Sequence, residues 1–214
     1  MEQVLVHRPS TASSPCPEDL ARADWYTLIG ALFQSPPDAA LLARIASAVE
    51  PAADAQADSQ SDLAREFARL AGACASAGED AVKQEYDTVF LGVGRPEVFL
   101  NASYYLSGFL HERPLADLRE ELANLGLARR EEYSQTEDQI GSLCEVMRLL
   151  IVDGGAMGAG LDVQRAFFTR FIAPWFEQMC DALEQCDSTR FYKDVGRLAK
   201  AFFAVERLAF DFES

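Results

Sequence analysis

The sequence predicts an all-α protein that folds as a single compact multi-helix bundle of roughly eight to ten helices. Apolar residues recur with the period of a helix along most of the chain, and no segment shows the alternation of a half-buried strand. Of the 214 residues, 49% are hydrophobic, so the chain can bury a full core without a metal or a disulfide. We therefore expect a flexible tail over residues 1–17 and one helical domain over residues 18–214.

In the first half of the chain, proline, glycine and polar segments divide the apolar pattern into four helices. The first begins at Glu18, ends before Pro36 and has one apolar face, which consists of Trp25, Leu28, Ile29 and Leu32. The next three are predicted at about Asp38–Val49, Ser61–Ala75 and Glu79–Phe90, with Ser61 as an N-cap and Gly92 as a stop. The polar stretch Glu50–Gln60 is predicted to be a mobile loop.

Five further helices are predicted in the second half. They cover Asn101–His111 and Leu115–Leu125, a segment that opens at Thr136, and two long aromatic segments near the end. The first aromatic segment has one apolar face formed by Phe168, Phe171, Ile172, Trp175, Met179 and Leu183, and Pro174 is expected to kink it. The second has Phe191, Val195, Leu198, Phe202 and Val205 on one face. The glycine-rich run over residues 154–160 is predicted to be a loop.

The charge excludes some classes of partner. The chain has 34 acidic and 19 basic residues, which gives a net charge of −15. Such a surface repels nucleic acid and anionic lipid. The charge allows two interpretations: it attracts a basic peptide, or it only keeps the protein soluble. We therefore expect no nucleic-acid binding.

The location of the protein is predicted from its cysteines and its N-terminus. Five cysteines at scattered positions, without a CxxC pair, favour the reducing cytoplasm. Residues 1–17 lack the apolar core of a secretory signal, and no apolar run is long enough to insert into a membrane.

The sequence has few residues that suit catalysis or metal binding. Its two histidines, His7 and His111, have no partner at the spacing of a metal site. The step Gly92-Val93-Gly94 lacks the third glycine of a phosphate-binding loop and is interpreted as a helix stop. No nucleophile is paired with a base, so we expect neither an enzyme nor a bound cofactor.

The segment Thr136-Glu137-Asp138-Gln139 allows two interpretations. Thr136 and Gln139 have the spacing of a capping box, and carboxylates in a first helical turn favour the helix dipole. The same two carboxylates are also candidates for binding a basic ligand. The spacing leaves both interpretations open.

Four segments, in this order, carry a resemblance to a known family. They are Ala21–Tyr26 with Leu32-Phe33 and Pro36-Pro37, then Glu85–Gly94, then Thr136–Ile140, and finally Gln164 through Phe167-Phe168 to Pro174-Trp175. Together they resemble the TorD/DmsD/NarJ family of cytoplasmic chaperones, which mature molybdenum-containing redox enzymes. The chain has Gln139 where the family usually has a histidine, and Arg95–Phe99 where relatives have a proline-rich loop.

The resemblance implies a TorD-like all-α fold and a function without catalysis. It implies a partner, the catalytic subunit of a molybdenum-containing oxidoreductase, which is bound by its twin-arginine leader or as the apo-protein. Binding would aid cofactor insertion and delay export. Some relatives dimerise, so the resemblance leaves both a monomer and a homodimer open.

A twin-arginine leader needs carboxylates for its guanidinium groups and an apolar groove for the rest. The candidate carboxylates are Asp138, Glu137 and Glu132, with Gln139 beside them, and the candidate groove residues are Tyr86, Phe90, Tyr104 and Tyr105. Each of these aromatic residues is also a candidate for ordinary core packing. The competing functions are a helical small-molecule-binding protein and an oligomeric scaffold protein, and neither requires a leader-binding groove.

The shortage of histidine and the scattered cysteines predict that the purified protein holds no stoichiometric metal. Elemental analysis of protein purified without a chelator measures this directly. About one zinc, iron or molybdenum per chain would contradict it.

Overall fold

The prediction of an all-α fold is confirmed. The computed structural model describes residues 15–48, 61–92, 94–110, 112–128, 135–153 and 160–212, and within these ranges it contains ten α-helices and no strand. The predicted loop at 50–60 and residues 154–159 of the second predicted loop lie outside the described residues. So do the first fourteen residues of the predicted tail, His7, His111 and Glu132.

Six of the helices precede residue 125. They are α1 (Pro17–Gln34), α2 (Ala39–Ser47), α3 (Asp62–Ser76), α4 (Glu79–Tyr86), α5 (Ala102–Ser107) and α6 (Arg113–Asn124). A π-helical turn, Asp87–Leu91, continues α4. The predicted cap Ser61 accepts a hydrogen bond from Ala64 N, which explains where α3 begins. Asp38 caps α2 in the same way and accepts from Leu41 N.

The other four helices close the bundle. They are α7 (Ile140–Val152), α8 (Leu161–Phe171), α9 (Phe176–Gln185) and α10 (Phe191–Phe212). The helix predicted to open at Thr136 begins at Ile140 instead. On the last helix, Val205 was predicted to face the core and is exposed.

The late aromatic segment was predicted as one kinked helix and is two separate helices, α8 and α9. Proline lacks the N–H that a helix interior needs, and it disfavours helical geometry in the residue before it, so the chain breaks ahead of Pro174. The indole nitrogen of Trp175 donates to the Phe171 carbonyl over 2.6 Å, which caps the end of α8. The predicted apolar face remains buried across the break, at Phe168, Phe171, Ile172, Trp175, Met179 and Leu183.

Helices α1 and α7 form the most extensive helix pair, and two glycines allow their close approach. A Cβ on Gly141 would lie 2.7 Å from Gln34 Cγ and 2.9 Å from the Gly30 carbonyl oxygen. A Cβ on Gly30 would lie 3.2 Å from the Cβ of Cys144. The backbones therefore cross at a distance that larger residues would increase.

A partly buried ion pair joins the first helix to the last. Arg22 donates to both carboxylate oxygens of Glu206, over 2.8 and 2.9 Å, and the Tyr26 hydroxyl donates to Glu206 over 2.9 Å. Glu206 is only 2% exposed, so an unpaired carboxylate there would be costly. Arg22 and Tyr26 belong to the first of the four resembling segments, and here they stabilise the fold.

A second carboxylate caps the last helix. Glu85 accepts hydrogen bonds from the backbone N–H groups of Arg190, Phe191 and Tyr192, over 2.8, 3.1 and 2.8 Å. These are N–H groups that a helix leaves without partners inside itself, and the negative charge also favours the helix dipole. Glu85 thereby links α4 to the start of α10.

Gly141→Ala should lower the free energy of unfolding by about 1–3 kcal/mol, because the added methyl group would separate α1 from α7. Gly72→Ala is the matched control in α3, where a Cβ would meet nothing within 4 Å. There the substitution should raise stability by about 0.5–1 kcal/mol, since alanine favours the helix. Urea unfolding of both variants measures the two effects, and equal effects would contradict the close crossing.

Candidate functional site

The segment before α5 runs alongside the segment before α7. A single bridge pairs Asn101 with Gln139 in antiparallel orientation. Ile140 N donates to the Leu100 carbonyl over 2.9 Å, and Ala102 N donates to the Asp138 carbonyl over 3.0 Å. This pairing brings the resembling segment Thr136–Ile140 into the interior beside α5.

The Asp138 side chain lies at the centre of this junction and is 1% exposed. Its Oδ1 accepts from Thr136 Oγ1 over 2.6 Å and from Asn101 Nδ2 over 3.2 Å. Its Oδ2 accepts from the Ser103 backbone N–H over 2.9 Å and from the Ser103 hydroxyl over 2.5 Å. Each oxygen therefore has two neutral donors, and no free face is left toward solvent.

These bonds determine the ionisation of Asp138. Burial alone raises the pKa of its carboxyl group, but the hydrogen bonds from Ser103, Thr136 and Asn101 outweigh burial. The pKa of Asp138 therefore lies below the ordinary value of 3.8. The group is a carboxylate at neutral pH, and its charge is stabilised from within the protein.

Of the two interpretations of Thr136 and Gln139, the capping box is wrong, because α7 begins at Ile140, four residues after Thr136. Gln139 is itself the N-cap: its Oε1 accepts from Gly141 N over 2.6 Å and from Ser142 N over 3.2 Å. Its Nε2 donates to the Phe33 carbonyl over 2.8 Å at the end of α1. One amide thus satisfies two helix ends, which requires a donor and an acceptor on the same side chain.

Tyr86 and Phe90 lie in the core and not along an open groove. The Tyr86 hydroxyl is 3.2 Å from the Phe33 carbonyl and 3.1 Å from the Gln34 carbonyl, so it also helps to cap α1. The two rings pack edge to face with 5.0 Å between their centroids. Both residues are buried and contact the end of α1.

Tyr104 and Tyr105 are half-buried and continue an aromatic row from the surface to the core. Phe99 stacks on Tyr104 with centroids 3.9 Å apart, and the Arg95 guanidinium lies 5.5 Å from the Phe99 ring centroid. Tyr105 stacks on buried Trp175 at 5.5 Å. The row therefore anchors α5 to the turn between α8 and α9.

Glu137 keeps part of its surface open, with a side chain that is 13% exposed. Its carboxylate accepts from the Arg119 guanidinium over 2.9 Å. It also lines a groove of about 440 Å³ between the end of α6 and α7, beside Leu122, Val146 and Leu149. The third candidate carboxylate, Glu132, lies outside the described residues.

An open apolar feature that was not predicted from the sequence lies near this junction. Leu106, Phe109 and Leu110 are exposed, and Phe109 is 70% exposed. We call these three residues the α5 patch. Gly108, with φ +82°, ends α5 and turns the chain so that Phe109 follows outside the helix. The signal in the sequence was the run Leu106–Leu110, in which large apolar residues flank a helix-ending glycine.

A small cavity opens beside the α5 patch. Its volume is about 90 Å³, and its walls include Leu106, Pro114, Asp117, Leu118, Asp138 and Phe171. The described part of the chain holds no group of three or more metal-ligating side chains, and no helix in it is long and apolar enough to cross a membrane.

The arrangement of the ten helices is that of the TorD-like class of all-α proteins. A family model described as "Nitrate reductase delta subunit" matches residues 56–181, more than half of the chain. The chain therefore belongs to the nitrate reductase delta subunit family, whose NarJ- and TorD-type members are chaperones of molybdoenzyme maturation. The resemblance stated from the sequence is thus confirmed. A comparison with curated proteins gave no match.

Asp138→Asn should lower the free energy of unfolding at neutral pH by about 2–3 kcal/mol, because an amide cannot accept all four hydrogen bonds. Glu120→Gln is the control, since Glu120 is exposed on α6 and its loss should change stability by no more than about 0.5 kcal/mol. Chemical denaturation of wild type, Asp138→Asn and Glu120→Gln measures the three free energies of unfolding.

The difference in unfolding free energy between wild type and Asp138→Asn should also depend on pH. The pKa of Asp138 is lowered by folding, so its carboxylate stabilises the protein above the ordinary value of 3.8, and this contribution is lost as pH falls through the folded-state pKa. The stability difference between wild type and Asp138→Asn should be constant above about pH 5 and shrink in more acidic solution. A difference that does not change with pH would contradict a charged Asp138.

Proposed function

We propose that this protein is a cytoplasmic chaperone for the catalytic subunit of a molybdenum-containing oxidoreductase. It binds the twin-arginine leader or the apo-protein, aids cofactor insertion and delays export. It catalyses no reaction itself. Membership of a molybdoenzyme maturation family supports the class of client. The α5 patch is the observation that carries the proposed binding.

The α5 patch suits a client because it combines exposed apolar area with a rigid base. Isolated exposed apolar residues are common, but three large ones lie within five positions here, which makes the α5 patch a candidate interface. The Asp138 hydrogen bonds hold the first turn of α5, and the Tyr105–Trp175 stack holds its inner face. A surface that is already ordered loses less entropy on binding.

The predicted site residues divide between contact and support in this proposal. Tyr104 and Glu137 keep open surface and contribute contacts, with Tyr105 at the edge of the aromatic row. The buried residues make no contact with the client and instead position α1, α5 and α7; they are Asp138, Gln139, Tyr86 and Phe90. Apolar burial supplies most of the affinity, because exposed ion pairs contribute only ~0–1 kcal/mol each.

Phe109→Ser should weaken capture of the client and leave the fold intact, because Phe109 is 70% exposed and makes little core contact. The expected loss of affinity is about tenfold, from the apolar area no longer buried. The matched control is Phe212→Ser at the end of α10, where the phenylalanine is 86% exposed. The measurement is co-purification from the native host, with mass spectrometry and circular dichroism of each variant.

A large molybdenum-dependent subunit should co-purify with wild type and with Phe212→Ser, and less with Phe109→Ser. Loss only with Phe212→Ser would place the client surface at the end of α10. Co-purification without any such subunit would favour a scaffold or a small-molecule-binding protein.

A further inference from the structure

The cavity beside the α5 patch has the size of one side chain. Its volume of about 90 Å³ is several times the ~30 Å³ share of a water molecule, but it is far below the ~300 Å³ at which small-molecule pockets begin. Leu118, Phe171 and Leu143 make much of its wall apolar. An unbranched aliphatic stem would fill such a space.

Asp117, on α6, lies in the wall of this cavity and is half-buried. Among the described residues it makes no hydrogen bond and no ion pair. Most other acidic side chains near the cavity are engaged: Glu121 pairs with Arg170, Glu137 pairs with Arg119, and Asp138 accepts four hydrogen bonds. A carboxylate that is partly removed from water and lacks a partner is poised to accept one.

The charges around the cavity favour a cation. Two carboxylates, Asp117 and Asp138, lie in its wall, against one guanidinium, Arg170. Arg170 is directed to Glu121, 3.4 Å away, and to the Phe171 ring, whose centroid is 4.9 Å from its guanidinium carbon. The negative charge of Asp117 is therefore not neutralised, and the protein as a whole carries a charge of −15.

We propose that Asp117 receives an arginine side chain of the bound client segment, with the aliphatic stem of that arginine in the cavity between Leu118 and Phe171. This inference rests on the proposed function and specifies the residue that selects the basic part of the ligand. A planar guanidinium bonds a carboxylate through two parallel hydrogen bonds, while its stem packs on apolar walls. The neighbouring α5 patch then binds the apolar residues of the same client segment.

Asp138 was the first candidate for this role in the sequence. The four hydrogen bonds to Asp138 and its 1% exposure leave no room for an arginine to reach it. Asp117 lines the same cavity from the side of α6 and is open to solvent. Asp138 contributes to the attraction through its charge and not through contact.

The test compares Asp117→Asn with the control Glu120→Gln, which removes the same charge from an exposed position on the same helix. The probe is a synthetic peptide with two adjacent arginines followed by an apolar stretch. A second peptide has glutamines in place of the arginines. Calorimetric titration gives the dissociation constant of each of the three proteins with each peptide.

Asp117→Asn should weaken binding of the arginine peptide by about five- to tenfold, and Glu120→Gln by less than about twofold. Wild type and Asp117→Asn should have the same dissociation constant for the glutamine peptide, because this peptide has no guanidinium group for Asp117 to bind. The loss of affinity of Asp117→Asn for the arginine peptide should also be smaller at high salt.

Two results would overturn the role of Asp117 while the proposed chaperone function stands. One is an equal loss of affinity for the arginine peptide in Asp117→Asn and Glu120→Gln. The other is a loss of affinity in Asp117→Asn that is equal for the arginine and glutamine peptides. Failure of wild type to bind the arginine peptide would overturn it too. If a molybdenum-dependent subunit still co-purified, that failure would leave the proposed function in place; if none did, both proposals would fall.

Discussion

The hydrogen bonds to the Asp138 carboxylate join the turn before α7 to the start of α5, two segments that are far apart in sequence. Asn101 and Ser103 come from the start of α5, Thr136 from the turn before α7, and the adjacent Gln139 reaches the end of α1. Burying a carboxylate is costly unless its oxygens are satisfied, and here each oxygen accepts two bonds. The observed arrangement of the segments meets that requirement, so the buried charge favours this geometry.

The position of α5 depends on this junction. Helix α5 has only six residues and is too short to be stable by itself in water. Its first turn is bonded to Asp138, and Tyr105 from its last turn stacks on Trp175 in the core. The exposed residues that follow, Phe109 and Leu110, are therefore presented from a fixed base. A binding surface built this way needs no large rearrangement before it meets a partner.

Charge and apolar area have separate roles on this surface. Many of the described surface ion pairs join residues three apart on one helix, such as Arg148 with Glu145, and such pairs contribute little to stability. The excess of acidic residues creates a long-range field that attracts cationic segments and speeds encounter. In the proposed function, the α5 patch provides the short-range apolar burial that retains such a segment. This division suits a ligand in which basic and apolar residues follow one another.

The helical period, the prolines and the cap residues predicted most of the fold, because these signals act within a few residues along the chain. Ser61 caps the helix that it was predicted to cap, and Pro36 and Pro37 follow the end of α1. Glu137, Asp138 and Gln139 were singled out from the sequence, and the structure brings Asp138 and Gln139 together with residues from α1 and α5.

The sequence by itself could not decide what those residues contact. The spacing of Thr136 and Gln139 fits a capping box, but the pairing with Asn101 straightens the segment and moves the helix start to Ile140. Whether a carboxylate faces solvent, as Asp117 does in part, or is enclosed, as Asp138 is, depends on residues distant in the chain. The sequence therefore determined the helices and the family, whereas tertiary packing decided burial, because burial is a property of the assembled bundle.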